Sequence, residues 1–313
     1  MSVAPLVLLT HPRLAGMQPL LEAEGWRVVG LWALGDADRA SVRALVHIGE
    51  IVLAPDMLAT LPALGLVANI GAGYDGVDVP WCLARGIAVA HAKGLNAADV
   101  ADHAIGLMIA AWRNIPDGDR FVRTGTWARD RPMAPAPSLG QRRIGIVGLG
   151  AIGTAIARRA EAFGMNVGWW GPREKEAPWP RAHSLPALAE ASDILVVACR
   201  ADAANRGLVS AEIIRAVGPE GLIVNVARGS VVDEDALIAA LKDRSLGRAA
   251  LDVFQEEPTP AGRWQGVPNL LLTPHMAGAT AESIPRMIAQ AVGNIRQFLA
   301  SEALISAVPS PGL

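Results

Sequence analysis

The feature that most constrains the fold is a direct succession of strand, glycine-rich turn and helix in the middle of the chain. Residues 143–147 have the pattern of a short buried strand, and the G-x-G-x-x-G of Gly148, Gly150 and Gly153 leads from it into an amphipathic helix. In such a turn the first glycine permits the tight bend, the second admits a pyrophosphate close to the backbone, and the third lets the helix pack on the strand. The helix N-terminus faces the phosphates with a partial positive charge. In this context the motif predicts a dinucleotide-binding domain, although an ordinary strand-to-helix turn shares part of the pattern.

A second glycine motif, formed by Gly71, Gly73 and Gly76, lacks this context. Pro80 is best accommodated in the first turn of the next helix. That helix therefore starts several residues beyond Gly76 and cannot point at a phosphate held by the glycines. The loop still presents backbone N–H groups that suit a carboxylate, and a plain turn explains it equally well.

Strand-like and helix-like segments alternate over most of the chain, which is typical of parallel sheets built from βαβ units. The predicted strands form two sets, residues 7–9, 26–29, 51–53, 66–70 and 87–90, and residues 144–147, 166–170, 194–197, 222–224, 249–251 and 270–272. Long helices are predicted near residues 97–111 and 281–299. We therefore expect an α/β fold of two doubly wound parallel-sheet domains, one flavodoxin-like and one Rossmann-type, with a ligand cleft between them. The predicted domains are residues 1–97, completed by 285–313, and residues 98–284.

Composition narrows the functional classes. Of the 313 residues, 51% are hydrophobic and 19% are charged, and the formal net charge is −2, so we expect a globular chain without a nucleic acid or a membrane as partner. The two cysteines, Cys82 and Cys199, form no disulfide framework and favour a reducing, cytoplasmic location. Five of the six histidines, His11, His47, His91, His103 and His183, lack metal-ligand spacing, and no metal is expected.

The loop after residues 166–170 bears on the type of nicotinamide cofactor. A protein that uses NAD commonly carries Asp or Glu at the end of this strand, where the carboxylate binds the ribose hydroxyls. Here the loop carries Arg173 and Lys175. Because these side chains attract a 2′-phosphate, which an acid would repel, the sequence favours NADPH over NADH. Glu174 in the same loop leaves NADH open, and the basic pair is also consistent with a solvated turn.

Three reactive side chains, Arg228, Glu257 and His275, follow successive predicted strands of the second domain. Taken singly, each has a simpler explanation. Arg228 is consistent with a surface residue at a strand end, Glu257 with one more loop acid, and His275 with a core histidine. Their joint position favours a shared site, because ligands bind beyond the carboxyl ends of the strands in such a sheet.

Together these motifs resemble the D-isomer-specific 2-hydroxyacid dehydrogenase family. The resemblance covers nearly the whole chain and is carried by residues 71–75, 99–104, 148–153 and 192–199 and by the segments around Arg228, Glu257 and His275. Within the family the chain most resembles glyoxylate/hydroxypyruvate reductases and hydroxyphenylpyruvate reductases. The resemblance implies an NAD(P)-dependent oxidoreductase that reduces a small 2-keto acid to a 2-hydroxy acid. It also implies a homodimer formed through residues 102–138, where Trp112 and Trp127 suit an interface or a core.

The resemblance to the family implies a separate role for each of the three reactive residues. Arg228 is expected to hold the substrate carboxylate and the keto oxygen with its fork of donors and to favour the developing alkoxide. His275 is expected to deliver the proton to that oxygen. Glu257 is expected to hold the imidazole and raise its pKa, so that the charged form persists near neutral pH.

The remaining site residues follow from the same resemblance. The substrate contacts implied are Ala72, Gly73, Arg228 and His275. The cofactor contacts expected are Val100, Gly148, Leu149, Gly150, Ala151, Ile152, Gly153, Arg173, Lys175, Cys199, Arg200, Val226, Ala227, Arg228, Asp252, His275 and Gly278. Within that set, Asp252 resembles the residue that contacts the nicotinamide carboxamide. Arg200 departs from the family pattern, and either a role near the cofactor phosphates or ribose or a solvated loop position accounts for it.

Two other functions are compatible with the pattern. One is a cofactor-sensing binding protein of the corepressor type, against which the full set of Arg228, Glu257 and His275 argues. The other is a nicotinamide dehydrogenase that oxidises phosphite or formate. Glu257 stands where the formate enzymes carry Gln, which makes formate the weaker alternative.

Overall fold

The computed structural model describes residues 4–128, 130 and 132–309. The chain divides into two compact units, Met1–Asn96 with Ala281–Leu313 and Ala97–Thr280, here called the first and second units. Residues 1–3 and 310–313, which the sequence assigned to the first domain, lie outside the described residues, as do residues 129 and 131 of the second.

The first unit is built on a parallel sheet of five short strands. In chain order these are β1 (Leu6–Leu9), β2 (Arg27–Gly30), β3 (Val42–His47), β4 (Leu66–Asn69) and β5 (Ala88–Ala90). Their spatial order is β2-β1-β3-β4-β5. The central strands are buried except at Arg43 of β3, which explains why they consist largely of aliphatic residues.

The second unit contains a parallel sheet of six strands in the order β11-β10-β9-β8-β6-β7. They are β6 (Arg143–Val147), β7 (Asn166–Trp170), β8 (Ile194–Val197), β9 (Leu222–Asn225), β10 (Arg248–Leu251) and β11 (Leu270–Leu272). The strand order reverses direction between β6 and β8. In doubly wound sheets this switch point is where ligands bind.

Helices cover both sheets. They are α1 (Gln18–Glu22), α2 (Asp36–Arg39), α3 (Pro55–Ala59), α4 (Val79–Leu83), α5 (Ala97–Trp112), α6 (Ile115–Arg123), α7 (Ala151–Ala162), α8 (Leu185–Glu190), α9 (Ala211–Val217), α10 (Glu234–Asp243), α11 (Ala261–Trp264) and α12 (Ser283–Leu299). Short 3-10 helices occupy Pro12–Met17, Leu31–Ala33, Ala203–Asn205 and Gly229–Val231. Both long helices expected from the sequence are present as α5 and α12, and α12 packs on the first sheet. Among the described residues, no helix is both long and apolar enough to cross a membrane.

The prediction of two doubly wound α/β domains is confirmed, with one error in the first sheet. Residues 51–53 were predicted as a strand, but Val52 is 81% exposed and Leu53 forms only an isolated bridge with Val77. The strand at this place in the sheet is instead β3, which pairs with β1 and β4. The exposed Arg43 interrupts its apolar run and hides it in the sequence.

The corrected strand yields a test with a matched control. We expect Val46→Asp to lower the free energy of unfolding by more than about 3 kcal/mol, because it buries an unpaired carboxylate at a position that is 0% exposed. Val52→Asp is the control and is expected to change it by less than about 0.5 kcal/mol, since the side chain is exposed. Urea unfolding followed by circular dichroism measures both changes. Equal losses would contradict the assignment of β3.

Candidate active site

The glycines of the turn after β6 differ in whether the packing of the protein leaves room for a side chain. A Cβ on Gly148, where φ is +94°, would lie 2.5 Å from Cα of Cys199, and a Cβ on Gly153 would lie 2.0 Å from the Gly148 carbonyl oxygen. Packing therefore demands glycine at both positions. A Cβ on Gly150 would meet no atom within 4 Å. The missing side chain at Gly150 leaves open space that a ligand can fill.

Helix α7 begins beside that space. Gly150 is its N-cap, and none of the described side chains caps the helix. The N–H group of Gly148 donates to the Trp170 carbonyl at 2.8 Å, which draws the end of β7 against the turn. Uncapped N–H groups at a helix N-terminus favour an anion. The residues present thus fit the pyrophosphate of a dinucleotide.

The predicted cofactor residues around this turn lie in two kinds of environment. Arg173 and Lys175 are both exposed, and Lys175 reaches back across the turn and donates from Nζ to the Leu149 carbonyl at 2.7 Å. Residues buried or half-buried around the edge of the sheet are Val100, Leu149, Ile152, Cys199, Val226, Ala227 and Gly278, while Ala151 and Arg200 are exposed. Burial raises the pKa of the Cys199 thiol to about 11, so it stays protonated at neutral pH.

Arg228, Glu257 and His275 lie in the three loops that follow β9, β10 and β11. Nδ1 of His275 lies 2.6 Å from Oε2 of Glu257. The other carboxylate oxygen, Oε1, accepts the backbone N–H of Phe254 at 2.9 Å. Gly229 allows the Arg228 loop to lie against the Glu257 loop, since a Cβ there would fall 1.8 Å from the carbonyl carbon of Phe254. The second unit alone therefore presents a carboxylate–imidazole pair beside a loop that carries an arginine.

The charge of Glu257 is stabilised by its surroundings. Burial by itself raises the pKa of this carboxyl, but the hydrogen bonds from His275 and from the Phe254 N–H, with the charges of His275 and Arg228, outweigh burial and lower the pKa. Glu257 is therefore ionised at neutral pH. An ionised carboxylate beside Nδ1 favours a proton on that nitrogen of the His275 ring.

Asp252 has a role that the sequence did not reveal. It is 1% exposed, and Oδ1 accepts the Thr273 hydroxyl at 2.6 Å and the Met276 N–H at 3.0 Å, while Oδ2 accepts the Ala277 N–H at 2.9 Å. Its carbonyl oxygen accepts the N–H of His275 at 2.8 Å. The buried carboxylate thus determines the path of the loop that carries His275. Its predicted contact with the cofactor stays a prediction.

His103 on α5 completes this network. Its Nε2 lies 3.0 Å from Oγ1 of Thr273 and 3.4 Å from Oδ1 of Asp252. Because the single hydroxyl proton of Thr273 goes to Asp252, Nε2 of His103 is the donor to Thr273. The segment at residues 99–104 carried the family resemblance, but only the three-dimensional structure brings His103 to the His275 loop.

The predicted substrate residues Ala72 and Gly73 belong to the first unit and follow β4. The Ala72 carbonyl accepts from Nδ1 of His91 at 2.8 Å, and the Gly71 carbonyl accepts the Ala92 N–H at 2.9 Å. Within the described part of the chain, the N–H groups of Ala72 and Gly73 have no acceptor. As the sequence predicted, the next helix starts well after the glycines, at Val79.

Comparison with known proteins agrees with this geometry. The model of the D-isomer specific 2-hydroxyacid dehydrogenase NAD binding domain matches residues 105–277. A glyoxylate/hydroxypyruvate reductase of Arabidopsis thaliana is 33% identical over 317 residues, which cover 98% of each chain.

Solved structures extend the similarity to the fold. A 2-hydroxyacid dehydrogenase from Ketogulonicigenium vulgare Y25 superposes with a TM-score of 0.91 at 35% identity, covering 98% of this chain and 99% of that one. An NADPH-dependent glyoxylate/hydroxypyruvate reductase from Sinorhizobium meliloti, in complex with NADP and malonate, gives a TM-score of 0.89 at 34% identity, covering 98% and 97%.

The differing roles of the glycines lead to a prediction. We expect Gly150→Ala to leave the melting temperature nearly unchanged and to weaken binding of a nicotinamide dinucleotide about tenfold or more, because the methyl group enters the ligand space. Gly153→Ala is expected to lower the melting temperature by several degrees, because the methyl group collides with the Gly148 carbonyl. Thermal unfolding and fluorescence titration separate the two effects. Equal cofactor affinity in Gly150→Ala and the wild type would contradict the position of the ligand.

Proposed function

The chain belongs to the D-isomer-specific 2-hydroxyacid dehydrogenase family, and from this premise we propose that it reduces small 2-keto acids to D-2-hydroxy acids with NADPH. Glyoxylate and hydroxypyruvate are the proposed substrates, since relatives that match 98% and 87% of the chain carry these names. The observation that carries the proposal is the 2.6 Å contact between Glu257 and His275, next to the Arg228 loop at the carboxyl edge of a dinucleotide-type sheet.

Each member of this group has a defined task in the proposed reaction. Bound NADPH supplies the hydride that the keto carbon receives. Arg228 binds the substrate carboxylate and keto oxygen, and its positive charge stabilises the oxygen as negative charge develops there. His275 in its protonated form donates from Nε2 to that oxygen, which becomes the hydroxyl. Glu257 holds Nδ1 and balances the imidazolium charge before the proton leaves.

The two domains have separate tasks in this proposal. Residues 1–97 with 285–313 bind the substrate, and residues 98–284 bind the cofactor. The N–H groups of Ala72 and Gly73 lack acceptors within the described chain and suit a second set of contacts to the substrate carboxylate. The NADPH preference is supported by the basic loop of Arg173 and Lys175 and by the NADPH dependence of the Sinorhizobium meliloti relative.

Turnover with matched variants tests the function. We expect the protein to oxidise NADPH in the presence of glyoxylate or hydroxypyruvate. We also expect it to oxidise NADPH in preference to NADH. His275→Ala should lower kcat about 10²- to 10⁴-fold while dinucleotide binding persists, because it removes the proton donor. Arg228→Ala should lower kcat/KM about 10²-fold or more. The exposed residues provide the controls His183→Ala and Arg215→Ala, for which no change is expected.

The dependence of kcat/KM on pH tests the role of Glu257 separately. Glu257→Gln retains the hydrogen-bonding shape and removes the charge that favours the imidazolium. The reduction requires protonated His275, so the fall of kcat/KM with rising pH should occur at lower pH than in the wild type. An unchanged pH profile would contradict this role. Absence of turnover with glyoxylate, hydroxypyruvate, pyruvate and phenylpyruvate would contradict the proposed function and favour a cofactor-sensing protein or a different nicotinamide enzyme.

A cytoplasmic location and a homodimer complete the proposal. Trp112 is buried in its own unit and cannot contribute to an interface. In the segment predicted to form the dimer, the apolar residues that can do so include Val122, which is 57% exposed, and Trp127, which is 67% exposed. Exposed apolar residues of this size in one segment are typical of a protein interface. Light scattering should give twice the chain mass of 32.7 kDa, and the double variant Val122→Asp/Trp127→Asp should give a monomer. A wild-type monomer at micromolar concentration would contradict the dimer.

A further inference from the structure

A third basic residue, Arg181, follows the basic loop by six residues and lies beside the end of β7. The segment around it runs beside the strand. The Pro180 carbonyl accepts the Trp169 N–H at 3.1 Å, the Trp169 carbonyl accepts the Ala182 N–H at 2.8 Å, and Trp169 and Arg181 form a parallel bridge. This pairing sends the Arg181 side chain along the strand toward its carboxyl end, where Nη2 donates to the Gly171 carbonyl at 2.8 Å.

In doubly wound sheets, the end of this strand is where the protein contacts the adenosine ribose of the cofactor. The acid that binds the 2′-hydroxyl in NAD-dependent proteins, or the arginine that accommodates a 2′-phosphate, lies at the end of the second strand of the fold. Strand β7 is that strand here, and its last carbonyl, of Trp170, is bound to the N–H of Gly148 in the glycine turn. Arg181 thus lies beside the predicted site of the ribose.

The guanidinium of Arg181 is only partly engaged. Nη2 is bound to Gly171, the guanidinium carbon lies 5.8 Å from the centre of the Trp169 ring, and the buried Nε has no hydrogen-bond partner in the described chain. Nη1 lies 3.8 Å from Oε1 of Glu174, whose side chain is 94% exposed. At that distance, and with the carboxylate in water, the pair contributes little, so a ligand can displace the carboxylate at small cost.

The same contact explains how Glu174 is tolerated in a basic loop. An acid next to the ribose would repel a 2′-phosphate, and Glu176 adds a second exposed carboxylate to the loop. The Glu174 carboxylate has the Arg181 guanidinium as its counter-charge at 3.8 Å, while Lys175 donates to the Leu149 carbonyl at the glycine turn. The end of β7 is therefore flanked by two fixed cations, one on the side of the turn and one on the side of residues 180–182.

Resting on the NADPH use proposed above, we propose that Arg181 determines cofactor specificity by binding the 2′-phosphate of NADPH, and that Glu174 is its exchangeable counter-ion. The phosphate takes the place of the Glu174 carboxylate at Nη1, and the bond from Nη2 to Gly171 holds the guanidinium in position. A guanidinium suits this task because its planar donors bind two oxygens of one phosphate.

Binding of two adenosine nucleotides that differ only in the 2′-phosphate tests this role without turnover. Calorimetry on the full chain compares adenosine 2′,5′-bisphosphate with adenosine 5′-monophosphate. We expect Arg181→Met to weaken binding of the bisphosphate about tenfold to a hundredfold and to change binding of the monophosphate less than about twofold. Arg215→Met on α9 removes the same charge from an exposed site and should alter neither affinity.

Two further variants keep the test decisive if Arg181→Met folds poorly. Glu174→Gln should tighten binding of the bisphosphate about twofold or more and leave the monophosphate unchanged, because the competing anion is gone. Arg181→Lys should lose most of the bisphosphate preference, since the compact ammonium lacks the planar fork with which the guanidinium reaches the Gly171 carbonyl and the phosphate at the same time.

The outcomes distinguish this inference from the proposed function. A wild-type preference for the bisphosphate that survives Arg181→Met and Arg181→Lys would overturn the role of Arg181 and leave NADPH use intact. Wild-type protein with no such preference would overturn the NADPH use, and the role of Arg181 with it. Unchanged affinities in Glu174→Gln would overturn the counter-ion exchange.

Discussion

The candidate site of the second unit depends on the parallel register of its sheet. Asn225 pairs with Leu251, and Leu251 pairs with Leu272, so β9, β10 and β11 end side by side. The loops that follow these strands must leave the sheet at the same edge. An arginine, a glutamate and a histidine that are distant in sequence therefore meet in a single region, and the glycine turn after β6 opens at that edge as well.

Register alone does not orient the imidazole, and the buried carboxylate of Asp252 supplies the missing constraint. A carboxylate removed from water is costly unless donors surround it. The donors here are the Thr273 hydroxyl and two N–H groups of the His275 loop, so the observed conformation of the loop satisfies Asp252. In that conformation His275 has a φ of +49° and Nδ1 faces Glu257. The cost of a left-handed backbone at a residue other than glycine is offset by the surrounding hydrogen bonds.

Residues that belong to a sequence motif can be predicted from the sequence, whereas residues that only position the motif in the folded protein are harder to predict. The fingerprint glycines and the family resemblance could be predicted because each depends on a local pattern. Strand β3 was missed because its aliphatic run is broken by Arg43, while the aliphatic residues 51–53 have the composition of a strand but lie in a loop. His103 was missed because its partner Thr273 is distant in sequence. Arg181 was missed because the pairing of residues 180–182 with β7, which directs its side chain to the end of the strand, is not visible as a sequence pattern.

The sequence by itself determined the fold class, the position of the dinucleotide turn and the three reactive residues. Each follows from local chemistry, namely alternating apolar segments, glycines where a side chain would collide, and polar residues directly after strands. Only the tertiary structure decided which segment fills the centre of the first sheet, how Asp252 orients the His275 loop, and that Arg181 lies beside the end of β7. These depend on strand pairing and on the burial of charge, which are properties of residues that meet in space.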